Sequence, residues 1–318
     1  LEVPTQRTDM SFSVRHAGSG LEFSGSSLNH LFAQRRNLLR PRFWRMLSAI
    51  NRFNREAVAA LDDPAAQRET LGDYVRRRGY GSDFLELYLV PMSSAVWSTP
   101  RDKMLDFPAL TLIRFFHNHG FLGLHTQHPW RTVAGGSRNY IERLIRPFAG
   151  RVRRGEGATK ILRREGGGAS VRTASGAEER FDAVVLACHA DQSLALLEAP
   201  TPRESSLLGR FRYQPNPTIV HTDTSVLPKS RRAWSSWNYR VERAGGASTH
   251  YWMNRLQEFQ TPKPLFVTLN PQRGPDPACF IQLEHYTHPI FDAGAMRAQK
   301  RLWSLQGRRN TWFCGSYF

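Results

Sequence analysis

Several features that would identify this chain at once are missing. Its 318 residues contain three cysteines, Cys188, Cys279 and Cys314, which lie far apart and form no CxxC pair. We therefore expect free thiols in a reducing cytoplasm rather than a disulfide framework. No run approaches 18 consecutive apolar residues, so no transmembrane helix is predicted. The opening LEVPTQRTDM has neither the charged start nor the apolar stretch of a signal peptide.

Two common catalytic and cofactor motifs are also absent. There is no G-x-S-x-G elbow, so hydrolase chemistry has no support. The nearest approach to the dinucleotide motif G-x-G-x-x-G is GSGLEF at 18–23, which lacks the third glycine and precedes a predicted strand. Motif spacing alone therefore establishes no cofactor.

The composition shows few acidic residues for the number of basic ones. The formal net charge is +17, but the excess arginines are spread along the whole chain. A non-catalytic basic module that binds an anionic membrane or nucleic acid is the alternative to an enzyme. Because no recognised nucleic-acid motif appears, we expect no nucleic-acid partner.

The residue patterns predict a mixed α/β (α+β) chain. Residues 11–24 alternate apolar and polar around a glycine turn, which indicates a hairpin, and residues 28–121 are mainly helical in pattern. Pro91 is expected to end or kink a helix that starts at Ser82. Short strands follow from residue 150, and DAVVLAC at 182–188 is predicted to be a strand buried on both faces. Residues 218–288 then indicate a mostly antiparallel sheet, followed by a helix and a last strand.

Seven segments, in this order, resemble one family: TDMSFSV, WSTP, WRTVAGGSRNYIERL, ERFDAVVLACHADQSL, AWSSWNY, FVTLNP and TWFCGSYF. The chain resembles the bacterial FAD-dependent oxidoreductases of the flavin-containing amine oxidase superfamily along nearly its whole length. The resemblance implies an FAD-binding domain interleaved with a substrate domain. Residues 1–129 and 201–299 would form the substrate domain, and residues 130–200 and 300–318 the FAD-binding domain.

The resemblance also carries an expectation about the ends of the chain. Members of the superfamily have a strand–GxGxxG–helix unit upstream of the region that starts here, and a further glycine-rich stretch after the WFCGSYF segment. We therefore expect a fragment that is inactive alone.

The resemblance implies a set of cofactor-binding residues. Ala158 would lie in the strand that contacts the adenine through backbone groups. Ala187 and Cys188 would reach the cofactor from the DAVVLAC strand, and Gly315 and Ser316 would lie at the flavin and its phosphates. Gly135 and Gly136 would form the corner that leads into the helix SRNYIERL, and the alternative is that this pair serves tight packing only.

A substrate would lose a hydride equivalent to flavin N5. We expect a small-molecule substrate, apolar or lipid-like, and the candidates for its cavity are Trp97, Trp237, Tyr239 and His288. The alternative for the aromatic residues is a place in the core, and for His288 a hydrogen-bonded structural role. The resemblance identifies no catalytic residue.

Four histidines, His117, His119, His125 and His128, fall within twelve residues. Imidazole pairs can hold zinc or iron. Glycines separate the two pairs, however, and no Asp, Glu or Cys is near, so no metal site is predicted.

The helix predicted over 41–57 is rich in arginine. Its apolar stripe comprises Phe43, Leu47, Ile50, Phe53 and Ala57. Such a helix can lie on an anionic membrane. The alternative is a surface helix packed on its own core. We therefore expect a cytoplasmic protein, with peripheral contact to the inner membrane through this helix as an open alternative.

Overall fold

The structure, a computed structural model, describes residues 2–123 and 128–318. The chain folds as two units. Unit 1 comprises Leu1–Leu144 and Pro215–His288, and unit 2 comprises Ile145–Gln214 and Pro289–Phe318. The assignment of chain segments to FAD-binding and substrate domains stays a prediction.

The strands of the described residues are short except for two, β9 and β13. In chain order they are β1 (Thr5–Arg7), β2 (Phe12–His16), β3 (Leu21–Ser24), β4 (Arg131–Val133), β5 (Ala158–Arg163), β6 (Ala169–Thr173), β7 (Glu178–Phe181), β8 (Val184–Leu186), β9 (Arg212–His221), β10 (Trp237–Val241), β11 (Ala247–Trp252), β12 (Phe266–Leu269), β13 (Phe280–Ile290) and β14 (Thr311–Phe313).

Seven of the twelve α-helices of the described residues lie between Leu28 and Asn118. The twelve are α1 (Leu28–Leu31), α2 (Pro41–Ala60), α3 (Leu71–Arg77), α4 (Ser82–Phe84), α5 (Val90–Trp97), α6 (Arg101–Met104), α7 (Ala109–Asn118), α8 (Arg138–Ile145), α9 (Ala190–Leu196), α10 (Pro202–Leu208), α11 (Met253–Gln257) and α12 (Ala293–Gln299). Short 3₁₀ turns lie between them, at Arg35–Leu39, Ala66–Arg68, Arg146–Arg151, Thr224–Val226, Arg231–Ala233, Pro277–Cys279, Leu302–Leu305 and Arg308–Asn310. The predicted mixed α/β class is confirmed.

Unit 1 is built on a seven-stranded sheet with the order β13-β9-β12-β11-β10-β2-β3. The predicted hairpin is confirmed, since β2 and β3 pair antiparallel. The predicted antiparallel character holds for the pairs β10–β11, β11–β12 and β12–β9. The pair β2–β10 is parallel and joins two segments that are far apart in sequence.

The two faces of this sheet differ in chemistry. On one face a polar row runs across five strands through Ser24, Ser13, Asn238, His250 and Thr268, and all five residues are buried. The segment after β9 covers this face. Ser235 Oγ donates to Ser24 Oγ, and the backbone N–H of Ser235 donates to Asn238 Oδ1. The cover satisfies polar groups that would otherwise be buried without partners.

The other face of the sheet packs on helices. Val14 and Phe23 of the hairpin join Phe43 and Met46 of α2 and Leu87 in one buried cluster. This cluster shows what the apolar stripe of α2 does. Besides Phe43, its residues Phe53 and Ala57 are fully buried, and Leu47 and Ile50 pack against the same cluster. The stripe therefore faces the protein core.

Pro91 does not end its helix, so this alternative is wrong, and the other alternative, a kink at Pro91, stays a prediction. Helical structure runs from Ser82 to Trp97 through α4, a π-helical segment at Leu85–Leu89, and α5. A proline removes one backbone donor and crowds the preceding turn. The wider π turn next to it is a recognised way of accommodating a local irregularity within a helix. No helix among residues 2–123 and 128–318 is long and apolar enough to span a bilayer.

Unit 2 contains two small sheets. Strands β5, β6 and β7 form an antiparallel meander, and Gly166, Gly167 and Gly168 form the turn between β5 and β6 with positive φ. Strands β8 and β14 pair in parallel, with Thr311 opposite Val184 and Phe313 opposite Leu186. Val184, Leu186, Thr311 and Phe313 are buried.

The prediction that the DAVVLAC strand is buried on both faces is wrong. Val185 is 62% exposed, and Trp312, which is opposite it, is 37% exposed. The buried face packs on residues of α9, α10 and α12, whereas the other face has no comparable cover among the described residues. An apolar run in sequence marks a parallel strand but does not report whether both of its faces are covered.

Candidate cofactor and substrate sites

Four of the predicted cofactor residues come together in unit 2. The parallel pair β8–β14 places the carboxyl ends of both strands at one edge. Ala187 and Cys188 follow β8 there, and Gly315 and Ser316 follow β14. The backbone N–H of Cys314 donates to the Leu186 carbonyl at 3.0 Å, which continues the pairing to this edge. Ligands of α/β folds bind outside the carboxyl ends of parallel strands.

Small side chains make this edge open. Ala187 and Ser316 are exposed, and Cys188 and Gly315 are half-buried. The Cys188 thiol lies 3.3 Å from the Ser193 hydroxyl in the first turns of α9. All four residues at this edge have small side chains or none, so they leave room for a flat or phosphate-bearing group. They would hold the FAD that the resemblance implies.

Gly315 has a second role that does not involve a ligand. A methyl group at this position would overlap the Tyr317 ring and the Cys188 carbonyl oxygen. Tyr317 is fully buried, and burial raises the pKa of its hydroxyl to about 12. The packing of unit 2 therefore requires glycine at 315 whether or not a cofactor is bound.

The other three predicted cofactor residues lie elsewhere. Ala158 is exposed at the start of β5, in the three-stranded sheet of unit 2. Gly135 and Gly136 belong to unit 1, in the turn between β4 and α8. Their φ angles are +74° and +85°, and a methyl group on Gly135 would come within 2.5 Å of Asn139 Nδ2. The Asn139 amide donates to the Ala134 carbonyl at 2.5 Å, so it closes the corner. This geometry favours the packing alternative for the glycine pair.

The predicted cavity residues Trp237 and Tyr239 lie on the helix-facing side of the unit 1 sheet. Tyr239 is buried between Val14 and Thr249 on the neighbouring strands, and burial raises the pKa of its hydroxyl to about 12. Tyr239 is therefore part of the core in this structure. Trp237 lies one row nearer the sheet end and is half-buried.

Trp237 stands in a row of half-buried apolar side chains. Phe12 and Tyr251 are its direct cross-strand neighbours, and the row continues through Val267 and Val220. The Trp237 and Tyr251 rings meet edge to face, with centroids 4.8 Å apart. We call these five residues the aromatic wall.

The indole N–H of Trp237 is a buried donor that has no hydrogen-bond partner within the described part of the chain. Buried donors are almost always satisfied, so an unsatisfied one needs an explanation. An acceptor on a bound molecule would supply one.

Trp97 and His288 occupy other places in unit 1. Trp97 ends α5 and packs against Phe107 and Phe115, at centroid distances of 4.7 and 4.8 Å. His288 is half-buried near the end of β13, the edge strand. Four strand spacings separate β13 from β10, which puts His288 roughly 19 Å across the sheet from Trp237. The four cavity candidates therefore do not form one cluster.

Four members of the aromatic wall were not predicted from the sequence: Phe12, Tyr251, Val267 and Val220. Only the strand register brings these four side chains into one row with Trp237. Burial raises the pKa of the Tyr251 hydroxyl, which keeps it neutral at physiological pH.

The histidine group stays without a described metal site. No cluster of three or more potential metal ligands occurs among the residues that the structure describes. His119 packs its ring on Phe115 at 3.9 Å, and its Nδ1 lies 2.8 Å from the Phe115 carbonyl oxygen. His125 lies outside the described residues.

Comparison with known proteins gives a family and a fold. The model of a family described as flavin containing amine oxidoreductase matches residues 22–232. No curated protein matches the chain significantly.

Solved structures match over almost the whole chain. A CLA-producing fatty acid isomerase from P. acnes covers 98% of this chain and 76% of its own, with 14% identity and a TM-score of 0.63. A cyclohexylamine oxidase from Brevibacterium oxydans IH-35A covers 99% and 77%, with 10% identity and a TM-score of 0.59. A double mutant of putrescine oxidase covers the same shares, with 12% identity and a TM-score of 0.59. At these identities the similarity shows the fold.

Proposed function

Since the chain belongs to the family of flavin-containing amine oxidoreductases, we propose that its protein uses FAD to oxidise an apolar, lipid-like small molecule. The flavin cofactor and the oxidoreductase class follow from the family. The substrate class and the hydride transfer are our proposal. The observation that carries the substrate class is the aromatic wall, with its unsatisfied indole N–H at Trp237.

The residues of the wall suit an apolar substrate for a physical reason. Phe12, Trp237 and Tyr251 present ring faces and edges, and Val267 and Val220 extend the same apolar row. Such a surface binds hydrocarbon by removing apolar area from water, at about 25 cal/mol per Å². A substrate amine would gain less from this wall, because its charge would have to leave water without a carboxylate in the row to receive it.

Trp237 would orient the bound molecule. Its N–H would donate to a carbonyl, carboxylate or ring acceptor, while the wall excludes water from the reacting carbon. When bound, FAD supplies an acceptor at N5 for a hydride equivalent, that is, two electrons and one proton from a substrate C–H bond. The small residues Ala187, Cys188, Gly315 and Ser316 would hold the cofactor in unit 2.

The similarity to a fatty acid isomerase adds support for a lipid-like substrate, and the similarity to two amine oxidases keeps amines in the test. The experiment is to reduce the purified full-length protein with candidate substrates in the absence of oxygen and to monitor the reduction by the loss of flavin absorbance. Long-chain unsaturated fatty acids and hydrophobic amines would be offered in parallel. Reduction by the fatty acids supports the proposal, and reduction by amines alone contradicts the substrate class.

Trp237→Phe tests the role of the indole N–H. The variant keeps the ring and removes a donor that has no protein partner, so the free energy of unfolding should change by less than about 1 kcal/mol. KM for the reducing substrate should rise about fivefold, the loss of one hydrogen bond of about 1 kcal/mol. Trp303→Phe is the matched control, since Trp303 is 73% exposed in unit 2. An unchanged KM in Trp237→Phe would argue against the wall as the substrate site.

A further inference from the structure

Residues 28–45 present apolar side chains to solvent in unit 1. Leu39 is 87% exposed and Leu28 75%, while Trp44 and Leu38 are each about half exposed, at 49% and 47%. We call these four side chains, with Arg35, Arg36 and Arg40, the Leu39 surface. It is distinct from the apolar stripe of α2, which packs in the core. We propose that the Leu39 surface docks the protein on an anionic lipid bilayer.

The members of the surface are tied to one another by contacts. The Trp44 indole N–H donates to the Leu38 carbonyl at 2.9 Å, and the Trp44 ring lies 5.5 Å from the Phe32 ring. Arg35 donates to the Phe32 carbonyl at 2.8 Å and to the Asn29 side chain at 2.5 Å. These contacts tie the segment that carries Leu28 and the segment that carries Leu38 to Trp44 and Phe32.

The outward position of the leucines is fixed by the fold. Asn37, next to Leu38, is fully buried. Its backbone N–H donates to the Gln34 carbonyl, and its own carbonyl accepts from the Arg40 backbone N–H. Pro41 then begins α2. Leu38 and Leu39 lie between the buried Asn37 and the start of α2 at Pro41. Their side chains therefore point away from the core before any partner binds.

The chain segment that carries the patch has charges of one sign. Between Glu22 and Glu56 the chain has seven arginines and no aspartate or glutamate. Arg42 and Arg45 both pair with Asp83 of α4. Arg35, Arg36 and Arg40 form no ion pair with any described carboxylate. Arg36 and Arg40 donate instead to the Gly20 carbonyl and the Asn37 side chain.

This combination matches the chemistry of a bilayer surface. Exposed leucines can enter the acyl boundary, tryptophan prefers the interface, and arginines without carboxylate partners attract anionic headgroups. Single exposed leucines need no explanation, but four large apolar side chains together with unpaired cations do. The inference goes beyond the proposed function and does not depend on it, because docking requires no flavin chemistry.

The test is flotation of the purified full-length protein with vesicles of phosphatidylcholine containing one quarter phosphatidylglycerol, compared with pure phosphatidylcholine. Arg35→Gln combined with Arg40→Gln should lower the partition coefficient about 30-fold, since each arginine near an anionic surface contributes about fivefold, or about 1 kcal/mol. Leu38→Ser combined with Leu39→Ser should lower it more than about tenfold, because two leucines lose apolar burial.

Matched controls separate the surface from general charge and general hydrophobicity. Arg154→Gln combined with Arg180→Gln removes the same charge from exposed positions in unit 2 that form no described ion pair. Trp303→Ser removes an exposed aromatic residue there. Both controls should float like the unmodified protein. Equal losses in the controls, unchanged flotation of the Leu39-surface variants, or flotation that is the same without anionic lipid would each overturn the proposal.

The flavin absorbance of each variant reports its folding and cofactor content separately. A protein that floats but carries no flavin refutes the proposed oxidoreductase and leaves the docking surface intact. A flavin-loaded protein that does not float refutes the docking surface alone.

Discussion

A hydrogen-bonded chain of two histidines crosses three strands on the polar face of the unit 1 sheet. The backbone N–H of Asp223 donates to His221 Nδ1 at 3.1 Å, so a neutral His221 carries its proton on Nε2 and donates to Thr268 Oγ1 at 2.7 Å. The Thr268 hydroxyl is then free to donate to His250 Nδ1 at 2.7 Å, and His250 Nε2–H donates to Ser248 Oγ at 3.0 Å. The arrangement requires both imidazole rings to be neutral.

The electrostatic surroundings of His250 oppose its protonation. Burial is the main cause that lowers its pKa to about 3; the nearby His221, Arg240 and Arg15 act in the same direction, and Asp223 acts in the opposite direction. In the unfolded chain the pKa is about 6.5. Below that pH the unfolded state binds a proton that native His250 does not bind. Stability is therefore greatest above pH 6.5 and falls as the pH is lowered from 6.5 towards 3.

The expected magnitude follows from this difference. Each pH unit below 6.5 costs about 1.4 kcal/mol in the free energy of unfolding, so moving from pH 8 to pH 5 costs about 2 kcal/mol. The pKa of His221 is also lowered, chiefly by burial, and adds a loss of the same sign. Carboxylates titrate near or below about pH 4 and contribute little in this range.

The assay is urea denaturation at pH 8, 6.5 and 5, with His250→Gln as the variant. Glutamine keeps one acceptor and one donor and has no proton to gain. The variant should lower the free energy of unfolding by about 1 kcal/mol at pH 8, because its hydrogen bonds are poorer. The fall in this free energy between pH 8 and pH 5 should be about 2 kcal/mol smaller in the variant than in the unmodified protein. His285→Gln, at an exposed position of β13, is the control and should keep the full loss. A variant with the same pH dependence as the unmodified protein would refute the assignment to His250.

Two further predictions concern unit 2. Arg163 and Glu204 form an ion pair with side chains only 2% and 3% exposed. Glu204→Gln leaves the arginine buried without its charge partner, so it should lower the free energy of unfolding, measured by urea denaturation, by about 3–5 kcal/mol. The control is the exposed pair of Lys160 with Glu198, where Glu198→Gln should lower it by less than about 1 kcal/mol. Gly315→Ala should lower the free energy of unfolding by about 1–3 kcal/mol, because the added methyl group overlaps Tyr317. Ser316→Ala should change it by no more than about 0.5 kcal/mol. Equal stability of the two variants would contradict the packing role of Gly315.

Much of the fold could be predicted from local pattern and resemblance. The hairpin of β2 and β3 alternates apolar and polar residues, and the structure pairs Val14 with Phe23 as that alternation requires. The pairing of β8 with β14, between segments more than 120 residues apart, has no local pattern, and the resemblance indicated it only by assigning residues after both strands to one cofactor.

The strand register and the cover of each sheet face could not be predicted. Side chains on a strand alternate in direction, so a change of one residue in register would bring a different set of neighbours to Trp237. For this reason Tyr251 was not predicted beside Trp237, and Tyr239, two residues further along the same strand, was predicted to line the cavity although it is buried in the core. The continuation of the helix beyond Pro91 depends on a π turn, which propensities do not report.

Glycine in a cofactor motif is weak evidence of a ligand in this chain. Gly135 and Gly315 have protein atoms where a methyl group would go, and Gly136 has a φ of +85° that favours glycine with no ligand present. Replacing any of them would lower stability and cofactor content together, and the two effects could not be separated. Trp237 differs from these glycines. Its indole N–H has no hydrogen-bond partner among the described residues, so replacing Trp237 by Phe breaks no protein hydrogen bond there. A change in KM or in the flavin spectrum of Trp237→Phe at unchanged stability would therefore report a bound molecule, which substitutions of these three glycines cannot do.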